Sequence, residues 1–540
     1  MGFEPEELAP DASPAIAVVA EDSAEDFAGP WRTVYRHPCA FGPDVFAGVM
    51  ANLIKNPNIN STWLFRADIL HDDSSGPPLP PPGPPGPGAP RRAPVFAGFE
   101  LRRHMVRRLI PRNTLRDKPL DQTCLIYENT PPIHGEDAGH EARPAERSLV
   151  VYLPHLTSPA DVPFYHPAVR GIAFLHEWLA AESCGFISVS YLYFDHHGSD
   201  TEEKNPQDDP VAATRLMRTA LHLLEVVYKH GTGRLAGYQK RVHHDQLVPQ
   251  ARLQTTYARL KTQYARALIE SWVETTNPDK HVFEDLCIAA FLIELWADMY
   301  GADGGSRFPG FVDIGCGNGL LVYILNQEGF PGWGFDARAR KSWANYNTQV
   351  RVPGDEIEQD SLRELVLLPP PVLESQDDGT ITSSLPRGRI HDGRFPKGTF
   401  IISNHADELT PWTPILAALS ECPFIAIPCC SHNLAGARFR APAPPRDKHA
   451  AKDKSSKKGK ADSAYASLVA WVGDIARDCG WEVEHEMLRI PSTRNAALLG
   501  RKRSADTVDI SAVVARYGGA EGYLASAANL VASVPRDEEH

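Results

Sequence analysis

Asp313, the glycines at 315, 317 and 319, and Asp336 are the residues whose types and spacing say most about the chemistry of this 540-residue chain. Phe311-Val312 runs apolar into Asp313, and the turn Gly315-Cys316-Gly317-Asn318-Gly319 follows. Leu320–Asn326 is then amphipathic, and a second short apolar run ends at Asp336. The order is strand, glycine turn, helix, strand and acid, the opening unit of a nucleotide-binding α/β fold. Glycine lets the backbone bend tightly and lets a ligand come close, and an acid after the second strand suits two ribose hydroxyls. The spacing is not the G-x-G-x-x-G that seats a pyrophosphate on a helix N-terminus. An acid two residues before the first glycine would repel a pyrophosphate and attract a cation, such as the sulfonium and amino group of S-adenosylmethionine.

The D-x-G-x-G-x-G pattern resembles the first motif of Rossmann-like methyltransferases. It makes Asp313, Gly315, Gly317, Asn318, Gly319 and Asp336 candidate cofactor-binding residues. The predicted fold is α/β: a Rossmann-like class I S-adenosylmethionine-dependent methyltransferase domain with an N-terminal mixed α/β extension. A purely structural glycine turn is the bland alternative.

The elements around this motif follow from composition and periodicity. With 42% hydrophobic and 23% charged residues the chain has the composition of a soluble protein of two or more domains. Nine scattered cysteines suit a reducing compartment. No apolar run approaches a membrane span and the N-terminus is acidic, so a cytoplasmic protein is expected. The net charge of −13 does not advertise a nucleic-acid binder. Its distribution matters more, because phosphate binding depends on local clusters. Arg102 to Arg116, Arg234 to His244 and the lysine-rich tract Arg438–Lys460 are three such clusters, with a solvated face as the plain alternative for each.

Residues 1–28 read as a disordered acidic tail and 29–265 as a mixed α/β, RNA-binding region with a proline-rich insertion at 76–94. Residues 266–505 read as the methyltransferase domain with loop insertions at 369–397 and 436–462, and 506–540 as a C-terminal tail. Helical spacing is expected from Trp31 to His71, notably around Phe46–Ile54, and at Val169–Glu182, 210–230, Gln254–Glu274 and Glu284–Tyr300. Strands are expected at Ser148–Leu153, Gly185–Tyr193, Thr399–Ser403, Phe424–Pro428, Glu482–Arg489 and Ala496–Gly500.

Several segments together resemble the fungal and animal tRNA (uracil-2′-O)-methyltransferases. They are RRLIPRN (Arg107–Asn113), GYQKRVHHDQLVPQ (Gly237–Gln250), Trp272–Trp296, Phe311–Leu325, SNHADELTPWTPILA (Ser403–Ala417), IPCCSHNLAG (Ile427–Gly436) and IPSTRNAALLGRKR (Ile490–Arg503). The resemblance implies methylation of a uridine ribose at the junction of anticodon stem and variable loop in serine tRNA. It implies S-adenosylmethionine as cofactor and tRNA as partner, involves no membrane, and leaves room for a helper RNA-binding protein.

That chemistry needs the reacting atoms roughly 3–3.5 Å apart and in line. It also needs an acceptor for the proton of a poorly nucleophilic hydroxyl. The active face of such a sheet lies at the carboxyl ends of its strands, which singles out Asn404, His405, Asp407 and Glu408. His405 or Asp407 would handle the proton and Asn404 would orient the hydroxyl; the alternative for Asp407 and Glu408 is capping of the following helix. His432 and Asn433 are candidate substrate contacts. Cys429-Cys430 with one nearby histidine do not match zinc-ligand spacing, so no metal is expected. Asp360 is placed toward the adenine side, with a surface acid as the alternative. Arg494, Arg107, Arg108, Arg112, Lys240 and Arg241 are candidate tRNA contacts, and His243-His244-Asp245 reads as RNA-facing or interdomain surface. Trp412 is a core residue or a platform for a flipped base. The competing functions are a protein or small-molecule methyltransferase and a catalytically silent RNA-binding scaffold.

Overall fold

The structure is a computed structural model that describes residues 2–9, 16–19, 29–73, 91–113, 116–129, 145–194, 210–238, 244–301, 308–351, 357–375, 380–381, 385, 387–443, 463–504 and 507–532. Most of the acidic tail, the proline tract from 76 to 90, the basic insertion from 444 to 462, Lys240, Arg241 and His243 lie outside the described residues. The chain divides into two compact units, Met1–Lys240 and Arg241–His540.

The first unit is an eight-stranded antiparallel sheet: β1 (Glu6–Glu7), β2 (Trp31–Cys39), β3 (Leu64–Asp72), β4 (Phe99–Pro111), β5 (Leu120–Asn129), β6 (Glu146–Pro154), β7 (Gly171–Leu179) and β8 (Cys184–Leu192), in the order β1-β2-β8-β7-β6-β5-β4-β3. Helix α1 (Pro43–Lys55) buries Phe46, Val49, Met50, Leu53 and Ile54. The long helix α2 (Pro210–Leu235) adds Leu216, Ala220, Leu223, Leu224 and Val227 to the same core as Ile172, Phe174 and Ile187 of the sheet.

This unit departs from expectation at Val169–Glu182, where helical spacing gives way to β7. Its residues alternate between two cores: Ile172 and Phe174 join the helix-covered one, Ala173 and Leu175 the one behind the sheet. A strand buried on both faces reads as a continuous apolar run, which periodicity alone cannot tell from a buried helix. Trp31–Cys39 and Leu64–Asp72, also expected as helix, flank α1 as strands.

The second unit begins with α3 (Gln250–Glu270) and α4 (Pro278–Tyr300). Leu253, Leu260 and Leu268 of α3 share one core with α4 and the sheet behind it, so the unit starts well before the expected boundary near residue 266. Next come β9 (Phe311–Ile314), α5 (Leu320–Gln327), β10 (Gly332–Asp336), β11 (Leu362–Glu364), β12 (Phe400–Asn404), α6 (Thr413–Ser420), β13 (Phe424–Ile427), α7 (Ala464–Asp478), β14 (Trp481–Met487) and β15 (Ala496–Arg503). The sheet order is β11-β10-β9-β12-β13-β15-β14. Its first five strands are parallel, and β15 runs antiparallel to both β13 and β14. The strand order steps outward from β9 in both directions, so β9 and β12 form the crevice where ligands bind in open α/β sheets. Two helices, α8 (Ile510–Arg516) and α9 (Tyr523–Ala532), carry Val513, Val514, Tyr523 and Leu524 into the sheet's core where a tail was expected. No helix among the described residues is long and apolar enough to cross a membrane.

The arginine run from 102 to 112 lies mostly on β4, and cross-strand carboxylates neutralise much of it. Arg103 pairs with Asp72 at 2.6 Å, Arg102 with Glu128 at 3.2 Å and Arg108 with Asp121 at 2.7 Å. Arg107 is buried; its guanidinium donates to Leu53 O at 3.1 Å and Ile54 O at 2.7 Å, and to Gln122 Oε1 at 2.9 and 2.6 Å. It thus caps the carboxyl end of α1 and does not face a nucleic acid. Arg107→Ala strands two helix-end carbonyls and a buried amide, and is expected to destabilise the first unit by about 3 kcal/mol. Urea unfolding checks this, and a midpoint within error of wild type would refute the capping role.

Candidate active site

The glycine turn is shaped by backbone that only glycine adopts cheaply. Gly315, Gly317 and Gly319 have φ of 73°, 53° and 77°, the left-handed region that a Cβ disfavours. Gly315 N and Cys316 N both donate to Phe335 O, at 2.8 and 3.0 Å, which ties the turn to the end of β10. Asp336 accepts from Gly317 N at 3.1 Å and from Arg338 N at 3.3 Å. Asn318 Oδ1 accepts from Leu320 N at 2.8 Å and so caps the start of α5. Trp343 Nε1 donates to Gly317 O and Ser342 Oγ to Asn318 O, both at 2.8 Å.

The second wall is the loop that leaves β12. His405 and Asp407 are held at φ of 53° and 44°, a strain of about 1–3 kcal/mol each that collects at functional sites. Ala406, between them, presses on the glycine turn: a Cβ on Gly315 would lie 3.0 Å from Ala406 Cβ. From α4, Glu284 Oε1 accepts from His405 Nε2 at 3.0 Å, and Asp285 Oδ1 accepts from Asn404 Nδ2 at 3.4 Å. Asp313 Oδ1, Asn404 Oδ1 and His405 Nδ1 are all buried with no hydrogen-bond partner.

The electrostatics of this crevice are those of carboxyls short of positive charge. Burial, then Asp285 and Asp336, push Asp313 well above the usual carboxylate range. Burial and then Glu284 push Asp285 up to about 8, against the bond from Asn404. Burial raises Asp336 too, opposed by Arg340, and raises Glu408 to about 7. Such a site favours a ligand that brings a cation. The donors and the orphaned Asp313 oxygen fit S-adenosylmethionine and would oppose a pyrophosphate.

Beyond the loop, Cys429 Sγ donates to Asp407 Oδ1 at 3.1 Å. Asp407, Cys429 and Cys430 each offer a ligand atom within 4.8 Å of the others, a convergence that linear spacing does not reveal. Burial first, then Asp407, push both thiols up, so they stand as neutral donors around that carboxylate. His432 is buried, and its Nδ1 has no partner. Asn433 Oδ1 accepts from Ala435 N at 3.1 Å and Ala437 N at 2.9 Å, which commits that oxygen to its own turn.

The other candidates have these surroundings. Asp360 is exposed and accepts from Asn347 and Gln349, at 3.0 and 2.6 Å. Arg494 is exposed with its guanidinium 4.7 Å over Tyr465. Arg108 is paired, Arg107 is buried, and Arg112 lies over Phe65 at 5.9 Å in the first unit. Asp245 is ion-paired with Arg489, and His244 Nδ1 meets Met487 O. Trp412 is fully buried and donates to Leu434 O at 3.1 Å, so it is no base platform. Glu284 and Asp285 are the functional candidates that sequence reasoning missed. Two adjacent carboxylates at the head of the apolar run Leu286–Leu292 were the available signal, since such groups are rarely buried without a task.

Comparison with known proteins identifies the class. One family model, described as "TRM44-like, N-terminal bet v1-like domain", matches residues 7–241, and another, "Predicted AdoMet-dependent methyltransferase", matches 247–359. The chain therefore couples a bet v1-like domain to an AdoMet-dependent methyltransferase domain. It is 58% identical over 544 residues to a tRNA (uracil-O(2)-)-methyltransferase of Neurospora crassa, covering 100% of this chain and 99% of the relative. Relatives of the same name from Schizosaccharomyces pombe (38% identical; 94% of this chain, 93% of the relative) and Candida glabrata (36%; 97% and 99%) also match. The chain belongs to the tRNA (uracil-O(2)-)-methyltransferase family.

Asp285 yields a pH prediction. Its folded pKa lies above its ordinary value, so between about pH 4 and 8 the folded chain holds a proton that the unfolded chain has lost, and stability falls as pH rises. Asp285→Asn is expected to raise the urea midpoint at pH 8 and to flatten the decline between pH 5 and 8. An undiminished decline would show that Asp285 is not the buried acid responsible.

Proposed function

We propose that this chain transfers the methyl group of S-adenosylmethionine to the 2′-hydroxyl of a uridine in tRNA, that the tRNA is serine tRNA methylated where anticodon stem meets variable loop, and that this takes place in the cytoplasm. Family membership supports the reaction. The observation that carries the site is the packing of the 404–408 loop on the glycine turn through Ala406 and Gly315. It sets the acceptor groups of one strand end beside the cofactor groups of the next.

S-adenosylmethionine, when bound, would supply an activated methyl group, the sulfur keeping the electron pair of the bond that breaks. Asp313 would meet its positive charge, and Asp336 would hold the glycine turn against its nucleoside. His405 directs Nε2–H at Glu284, which leaves Nδ1 as the lone-pair nitrogen. It therefore takes the hydroxyl proton, with Glu284 fixing the ring and balancing the imidazolium, the division of labour of a catalytic triad. Asn404, fastened by Asp285, turns its free Oδ1 toward the hydroxyl. Asp407, engaged by Cys429, is the weaker candidate for the proton.

Labelled S-adenosylmethionine and total tRNA from a cell lacking the protein test this reading, with and without extract from that cell to reveal any helper RNA-binding protein. Label is expected in 2′-O-methyluridine of serine tRNA. Asp313→Asn should weaken cofactor binding at least about tenfold, by calorimetry. His405→Gln should lower kcat about 10²–10⁴-fold with cofactor affinity kept. Label confined to protein or to a base atom would discard the reading, and full activity in His405→Gln would discard the assigned base.

A further inference from the structure

Large apolar rings side by side in solvent are unusual on a soluble surface and mark contact sites. On the first unit Trp63 and Phe164 are 44% and 43% exposed, with ring centroids 5.1 Å apart in an edge-to-face arrangement. Arg116 spans both rings, its Cζ 5.3 Å from the Trp63 centroid and 5.2 Å from that of Phe164. Arg215 lies over Phe164 at 4.3 Å and donates to that residue's carbonyl. The rings open onto a groove of ≈ 790 Å³, whose other side is one face of α2 carrying Arg215, Arg218 and His222. Among the described residues, no acidic one lines it. Among the described residues, none of Arg116, Arg215 and Arg218 is ion-paired with a carboxylate, unlike Arg102, Arg103 and Arg108 on β4.

From this juxtaposition we infer that the groove binds RNA, seating an unpaired nucleotide with its base on Trp63 and Phe164 and its phosphates at Arg215 and Arg218. The inference rests on the tRNA methyltransferase reading and deepens it by assigning a substrate-holding groove to the first unit. The chemistry is complementary at each point. Aromatic faces take any base by stacking, and guanidiniums take phosphate oxygens by paired hydrogen bonds. Each phosphate so neutralised releases counterions and makes binding salt-dependent. The volume suits a nucleotide, lying within the range of small-ligand pockets. An acidic peptide would also meet the arginines but has no use for the two exposed rings.

The test uses the full chain and serine tRNA transcript, with affinity followed across salt concentration. Trp63→Ala with Phe164→Ala is expected to weaken tRNA binding about tenfold or more without changing the slope of log affinity against log salt. Arg215→Gln with Arg218→Gln is expected to weaken binding and to reduce that slope by about one to two. Trp63→Phe should retain most of the affinity, which separates stacking from folding. In both double variants KM for tRNA rises, kcat at saturating tRNA is kept, and calorimetric affinity for S-adenosylmethionine is unchanged. Oligouridylate should compete with the tRNA, and oligoglutamate should not. Unchanged affinity and slope in both double variants, or competition by oligoglutamate alone, would overturn the inference. Failure of the tRNA reading itself would look different, with no methyl transfer to tRNA by the wild-type chain.

Discussion

The crevice of the second unit is built around a buried carboxyl, Asp313, that no cation among the described residues is paired with. Asp313 lies near the end of β9 with 2% of its surface exposed, one oxygen unpartnered, and Asp285 and Asp336 close enough to raise its pKa further. Burying such a group is unfavourable unless something pairs with it. Reaching that arrangement requires two backbones to approach more closely than side chains allow. Gly315 leaves room for Ala406, while a Cβ on Gly334 would lie 2.8 Å from Cys316 and Val322. The strain at His405 and Asp407 has the same origin. The loop must turn sharply to bring its acceptors over the glycine turn, and the packed sheet and α4 hold it there.

How much of this was legible in the sequence depended on whether a local rule governed each piece. The glycine turn was legible because its spacing is local chemistry, and its three positive φ values are what those glycines are for. Helix α4 was legible as buried because EDLCIAAFLIELW is apolar nearly all round. Its acids Glu284 and Asp285 were not assigned to the site, because their partners Asn404 and His405 lie more than a hundred positions away along the chain. Clusters in sequence also misled. The arginines of β4 adjoin one another along the chain, yet alternation across a pleated strand sends Arg107 inward and its neighbours to carboxylates on adjacent strands. Trp412 follows an acidic loop in sequence but faces the core in space.

The two units divide the electrostatic work by sign. In the second, acids gather where a sulfonium would be welcome. In the first, arginines without a carboxylate partner among the described residues and exposed rings gather on one groove, lined by the segment before β3, the loop after β6 and the first turns of α2, with Arg116 from the segment after β4 lying over the rings. No single stretch carries that groove, so no count of basic residues along the chain points to it. A formal charge of −13 is compatible with RNA as substrate for the same reason. At physiological salt a charge acts over about 8 Å, so an RNA phosphate responds to the few guanidiniums it touches and little to the sum.

Methyl transfer from a cationic donor also bears on why acids with raised pKa line this crevice. A site already full of ionised carboxylates would hold the sulfonium firmly in the ground state, and binding that is equal in ground and transition states adds nothing to kcat. Positive charge is lost from the sulfur as the methyl moves, so a strong fixed anion there would resist the reaction. Asp285, raised to about 8, and Asp313, raised by burial, carry less negative charge than exposed aspartates would. They can still accept hydrogen bonds, and His405, held by Glu284, keeps its Nδ1 unpartnered. The burial that costs the fold stability thereby tempers the field that the reaction would otherwise have to overcome.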